Sequence, residues 1–241
     1  MTLKPMAIGA LAGVALLAAC ATPPVDAVQK TAAPVAPAPA GTDPLYGAVQ
    51  DAGRTIAAIP EAALSERNRR QVVDYWTDEP PGTIIVDPYA RFLYLVLEND
   101  RALRYGVAVG EQGRGFSGEG VIPFKREWPR WTPTQNMLRR DPELYGPVRN
   151  GMEGGLDNPL GARALYLFKG GRDRLYRIHG TNNPFSIGKA VSSGCIRLFN
   201  QDILDLHERV KDGARVVVLS ESESGKGTTP AGRTTTSNQT Q

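Results

Sequence analysis

The 241 residues contain only two cysteines and two histidines. Two cysteines cannot build a disulfide scaffold, and a zinc site would need all four of these side chains to converge on one point. Charge of one sign is also scarce. With 28 Lys plus Arg against 25 Asp plus Glu, the formal balance is +3, too weak a field to suggest a nucleic-acid partner. No internal repeat is present. Apolar residues are not lacking: 41% of the chain is hydrophobic, and a chain of this length can bury a core without staples. What remains to be explained is the use of two thiols.

Long hydrophobic runs are missing except at one place. Lys4 precedes an apolar run from Met6 to about Leu17, too short for a transmembrane helix and proportioned like the h-region of a signal peptide. An ordinary secretory signal cut after small residues is one reading. The other rests on Leu17-Ala18-Ala19-Cys20, which resembles the lipobox of bacterial lipoproteins. That resemblance implies a signal peptide over 1–19 and a lipid on Cys20, so that the protein is held on a membrane by acyl chains worth about 0.8 kcal/mol per buried CH₂. It also implies a periplasmic location, at the outer membrane, because Ala21 and not Asp follows the lipid site. Residues 20–59 are expected to be a linker, Ala- and Pro-rich over its first half and extended. Residues 221–241, rich in Ser, Thr and Gly, are expected to be disordered.

Between these ends the pattern becomes structural. Pro60 to Tyr75 mixes helix formers with a polar face and predicts a helical arm over 60–81. From residue 82 to 220 the chain reads as one mostly β domain, β-sandwich or barrel-like, with one or two short helices. Thr83–Val86, Arg91–Leu97 and Ala102–Val109 are rich in β-branched and aromatic residues and are punctuated by Asp87-Pro88 and Glu98-Asn99-Asp100, which predicts an antiparallel meander. Arg163–Lys169 and Arg174–Ile178 predict a strand pair across Gly170-Gly171, Gln201–Val210 a helix, and Arg215–Leu219 a closing strand. Gly110 to Leu160 is long, rich in Gly and Pro, and holds Trp128 and Trp131. It reads either as a lid or substrate-binding wall, or as a decoration packing its own tryptophans.

Cys195 lies in Ser192-Ser193-Gly194-Cys195-Ile196-Arg197, with His179 upstream across fifteen intervening residues. An imidazole can supply the base or the positive field that a thiol needs to act as a nucleophile. Gly194 allows a tight turn whose amides could face an oxyanion, and Arg197 could hold a carboxylate. The opposing reading is a small buried thiol and a satisfied turn histidine. His207 lies within the expected helix and reads as a local packing residue. Thr181 and Asn182 read either as pocket residues or as a turn at Asn183-Pro184, and Arg67-Asn68-Arg69-Arg70 as a solvated face.

His179-Gly180-Thr181 followed by Ser192-Ser193-Gly194-Cys195-Ile196-Arg197 resembles the signature of the L,D-transpeptidase family, and the likeness extends over roughly Gly82 to Leu219. Thr132-Pro133, Asp157 to Gly161 and Leu175 to His179 belong to it. Ser193 stands where many members carry His, so His179 is left as the only base. The resemblance implies a cysteine-dependent acyltransferase of peptidoglycan that needs no cofactor or metal. Cys195 would be the nucleophile, His179 the general base and acid, the Gly180 backbone the orienter of the imidazole, and the Gly194 backbone part of the oxyanion hole. Arg197, Ser192, Ser193 and Thr181 would contact substrate. The implied partners are peptidoglycan stem peptides, with an amine of another stem or a lipoprotein lysine as acceptor. Transfer to water by the same thiol and imidazole is the rival chemistry, and a non-catalytic, lipid-anchored wall-binding protein the rival from another class.

Overall fold

The computed structural model describes residues 43–110, 117–190 and 194–230. In chain order, a hairpin of β1 (Val49–Asp51) and β2 (Arg54–Ile56) precedes β3 (Gln71–Asp74), β4 (Ile84–Asp87), β5 (Phe92–Val96), β6 (Arg101–Gly106) and β7 (Ala108–Val109). Next come β8 (Gly118–Ile122), β9 (Lys125–Glu127), the short helices α1 (Gln135–Arg140) and α2 (Pro142–Tyr145), and the long pair β10 (Arg163–Lys169) and β11 (Arg172–His179). β12 (Ile196–Arg197), α3 (Asn200–Arg209) and β13 (Ala214–Val218) complete the order.

The mostly β architecture and the meander agree with the sequence. β4, β5 and β6 pair antiparallel in turn. Asp87 begins the first turn by accepting the N–H groups of Tyr89 and Ala90. Asn99 and Asp100 both take positive φ in the second, where short polar side chains tolerate the left-handed region. Among the described residues, eleven strands form one sheet in the order β3-β6-β5-β4-β13-β8-β10-β11-β12-β7, with β9 on β10. Since β7 follows β6 after the single residue Val107, the far end of this order returns to its beginning, and the sheet curls around its core. Ile84, Leu93, Leu165 and Ile178 fill the inside against Ile203 and Leu206 of α3. Removing any one of these buried aliphatic side chains would cost about 2–5 kcal/mol.

Four expectations are corrected. Pro60 to Tyr75 is not a helical arm: it forms single 3-10 turns at Glu61–Ala63 and Glu66–Asn68 and then β3, which pairs with β6. The stretch lacks a sustained apolar stripe at helical spacing, and the free edge of β6 captures its Val72-Val73 pair. The linker does not extend to 59, because Tyr46 and Ile59 are buried against Phe199 and Ile187 in a second apolar cluster. The tail does not begin as a disordered segment at 221. Ser220 and Glu223 form a capping box, Ser224 and Gly225 donate to Asp87, and Trp76 donates to the Gly227 carbonyl. Gly110 to Leu160 also contains strands, with β8 lying inside the sheet between β13 and β10. Its three glycine-spaced residues before Val121 hide its period, and Gly120 is needed because a Cβ there would stand 2.7 Å from Leu167.

Candidate functional site

Two parallel strands need a crossover of a dozen or more residues, and the interval between His179 and Cys195 is that crossover. β11 and β12 pair parallel, with Ile178 opposite Ile196 and His179 opposite Arg197. Side chains alternate across a strand. Ile178 and Ile196 point into the core, so Arg177, His179, Cys195 and Arg197 share the other face. The sequence pairing of His179 with Cys195 and Arg197 therefore has a geometric basis: the three belong to one face of two neighbouring strands.

His179 is 3% exposed, and its Nδ1 lies 2.6 Å from the Gly180 carbonyl oxygen. A carbonyl only accepts, so Nδ1 carries the proton and Nε2 keeps its lone pair. Burial pushes the imidazole down to about 3; the Arg197 charge adds to this, and backbone bonds at Gly180 and Leu160 oppose it. The imidazole is thus neutral over the physiological range. Cys195, a free thiol, is half-buried. Burial raises its pKa, while the Arg177 backbone N–H and the charges of Arg177 and Arg197 pull it back down. Both groups rest uncharged, with positive charge on two sides.

Asn200, at the start of α3, was not singled out by sequence. Its side chain accepts the Ala162 N–H at 2.9 Å and donates to the Thr181 carbonyl at 3.0 Å, which ties the start of β10 to the turn after His179. Gly180 and Gly161 are required beside it, since a Cβ on either would stand 2.2 Å from Asn200 Oδ1. Each such bond contributes about 0.5–1.5 kcal/mol, and a buried backbone group left without its partner costs about 1–3 kcal/mol. The available signal was position, because an amide side chain at a helix start is suited to satisfying backbone groups.

Thr181 is buried and its hydroxyl accepts the Asn183 N–H, so its side chain serves the turn. Asn182 donates to the Asp157 carbonyl. Gly194 is half-buried immediately before Cys195. Ser192, Ser193 and Cys20 lie outside the described residues. His207 sits in α3, and its backbone carbonyl accepts Lys125 Nζ.

Around this face, Tyr145 of α2 lies close enough to Arg197 to act on its charge. The tryptophans do the packing: Trp128 donates to Asp51, which also holds Arg163 through two bonds of 2.7 and 2.8 Å, and Trp131 lies against Tyr145. The stretch thus packs its own tryptophans, and Tyr145 is its member that acts on Arg197. Beneath the crossover runs the segment from Asp43 to Arg70. Asn68 donates to the Ile187 carbonyl, and its side chain occupies the space that a Cβ on Gly188 would need. Of the neighbouring arginines, Arg67 is exposed as expected of a solvated face, but Arg69 and Arg70 are not. Arg69 pairs with Asp43, and Arg70 with Asp205 at 3.0 Å beside buried Asp202.

Residues 81–218 match the L,D-transpeptidase catalytic domain family, YkuD, and the chain belongs to that family. The probable L,D-transpeptidase ErfK/SrfK of Escherichia coli strain K12 is 34% identical over 142 residues, 58% of this chain and 44% of that relative. The putative L,D-transpeptidase YkuD of Bacillus subtilis is 53% identical over 60 residues, 25% of this chain and 34% of that protein. A crystal structure described as a probable carnitine operon oxidoreductase from Brucella melitensis is 52% identical, covering 66% of this chain and 98% of that one with a TM-score of 0.46. This chain spans less than half the length of the first of these relatives.

Proposed function

We propose that the protein is a peptidoglycan L,D-transpeptidase working through Cys195. Nε2 of His179 takes the thiol proton as sulfur attacks the carbonyl after the L-centre of meso-diaminopimelate in a tetrapeptide stem. The tetrahedral oxyanion is received by the N–H groups of Gly194 and Cys195. Collapse breaks the amide bond, the imidazolium returns its proton to the departing amine of D-Ala, and a thioester remains on Cys195. An acceptor amine then attacks the thioester and loses its proton to His179, which passes it to the departing sulfur, so the free thiol is regenerated. Arg197 holds the donor stem. The single observation that supports this most is the shared outward face of β11 and β12, where Cys195 accompanies a neutral imidazole whose Nδ1–H is committed to Gly180.

The acceptor is a stem amine, giving a 3→3 cross-link, or a lipoprotein lysine; water would make the protein a hydrolase. Incubation with disaccharide-tetrapeptide and mass analysis separates these outcomes, since dimers, lysine adducts and tripeptides differ in mass. Purified protein should form a one-to-one covalent adduct with a carbapenem, and Cys195→Ala should form none. An adduct surviving that substitution removes Cys195 from the mechanism. Attachment of lipid at Cys20 would place this chemistry in the periplasm, on the outer membrane. Fatty-acid labelling lost in Cys20→Ala is the expected result.

A further inference from the structure

β11 is irregular where it passes Cys195. Its register with β10 shifts between Leu167 and Phe168, leaving Arg174 and Leu175 as a bulge. Leu175 takes φ of 60°, an uncommon state for a bulky residue that persists where surrounding bonds enforce it. The enforcing bond is to Asp173, whose Oδ1 accepts the Leu175 N–H at 2.8 Å. The same carboxylate grips Arg177 through two bonds of 2.7 and 2.8 Å. As a result the Leu175 carbonyl stands 3.9 Å from Cys195 Sγ, on the strand edge beyond the two-residue pairing with β12.

Arg177 is fixed from a second side. Its guanidinium lies 4.1 Å from the ring centroid of Tyr166, its cross-strand neighbour, and Tyr166 is stacked on Phe124 at 4.6 Å. Restrained by a bidentate carboxylate and an aromatic face, this cation cannot move freely. Continued by one residue, the register of β11 with β12 brings the Arg177 backbone alongside Cys195, and the Arg177 charge acts on the thiol.

The geometry points to Arg177 as a positioning residue that sets the reactivity of the Cys195 thiol, with Asp173 as its counterweight. This rests on the reading of Cys195 as the nucleophile. The protonated thiol has an acceptor in the Leu175 carbonyl. Once the proton leaves, that carbonyl offers nothing to the thiolate, whereas the N–H and guanidinium of Arg177 both favour it. Asp173 aims the guanidinium and partly cancels it. The other groups acting on the thiol's surroundings are His179 and Tyr176 on β11, Arg197 on β12, and Tyr145 beyond Arg197.

The two members of the pair should therefore shift the thiol in opposite directions, an outcome that loss of structure alone does not produce. The test is the pH profile of iodoacetamide alkylation at Cys195, followed by intact mass, in four proteins of checked thermal stability. Arg177→Met should raise the midpoint, and a shift of one pH unit would read as about tenfold slower alkylation at neutral pH. Arg177→Lys should restore most of that loss. Asp173→Asn, which leaves Arg177 stacked on Tyr166 without its counter-charge, should lower the midpoint and speed alkylation at neutral pH. Shifts of the same sign in Arg177→Met and Asp173→Asn, or no shift, would overturn the assignment. Alkylation needs no substrate, so opposed shifts in a protein that forms no carbapenem adduct would refute the transpeptidase reading and leave this one standing.

Discussion

Two polar groups in the molecule are both built around arginine. In the first, Arg70 lies between Asp202 and Asp205, with the hydroxyl of Tyr46 near Asp202 and that of Tyr105 on Asp205 at 2.6 Å. In the second, Arg177 and Arg197 stand beside a thiol and an imidazole that rest neutral. The first group uses cation against anion to dock the segment from Asp43 to Arg70. The second keeps positive charge next to a site where negative charge would develop. Their composition is similar, but the arginine of the first stands beside two carboxylates, whereas those of the second stand beside a neutral thiol and imidazole.

The comparison breaks most sharply at Arg70. Arg70→Met should destabilise the fold by about 3–5 kcal/mol, because it removes the cation shared by Asp205 at 3.0 Å and buried Asp202 at 3.8 Å. Denaturant unfolding measures this; a change below about 1 kcal/mol would make the network ornamental. Asn200→Ala should cost about 1–3 kcal/mol by the same measurement. It should also slow carbapenem acylation, since the turn holding the Gly180 carbonyl loses its tie.

The sharpest discriminator is the sign of an effect, because the two groups should impose opposite slopes on stability against pH. Burial lowers His179 to about 3 from an ordinary 6.5, so within that window the unfolded chain binds more protons and stability drops as pH falls. Burial, first of all, raises Asp202 to about 7 from 3.8, so the folded chain holds the extra proton and stability drops as pH rises through that window. Between about pH 4 and 6.5, relative to wild type, His179→Ala should tilt the stability profile downward with rising pH and Asp202→Asn should tilt it upward. Equal tilts would show that the two groups are not differently balanced.

Much of this was legible in sequence. The meander, β10, β11, α3 and β13 carry β-branched runs or a helical stripe bounded by turn residues, and these local signals agree with the fold. His179 and Cys195 stood out because their residue types are rare, and Gly180 because it belongs to the motif that carries the family resemblance. The errors share a cause: in each, a distant surface decided the local state. β3 exists because β6 has a free edge, the 221–228 segment is ordered because Asp87 and Trp76 hold it, and β8 hides behind glycines chosen for contact with Leu167. Arg177 was missed for a different reason. It lies two residues before His179 and shares its face, but only the register with β12 sets it next to Cys195.

Asn68 lies outside the span 81–218 that matches the family, yet it supports the loop running toward Cys195. The unit recognised by homology and the unit that holds its shape therefore differ. A fragment cut at residue 81 would keep Cys195 without the floor beneath its loop, and would also expose Phe199 and Ile187 where Tyr46 and Ile59 now cover them. For transplantation or minimal expression, the portable module has to include the segment from Asp43 to Arg70.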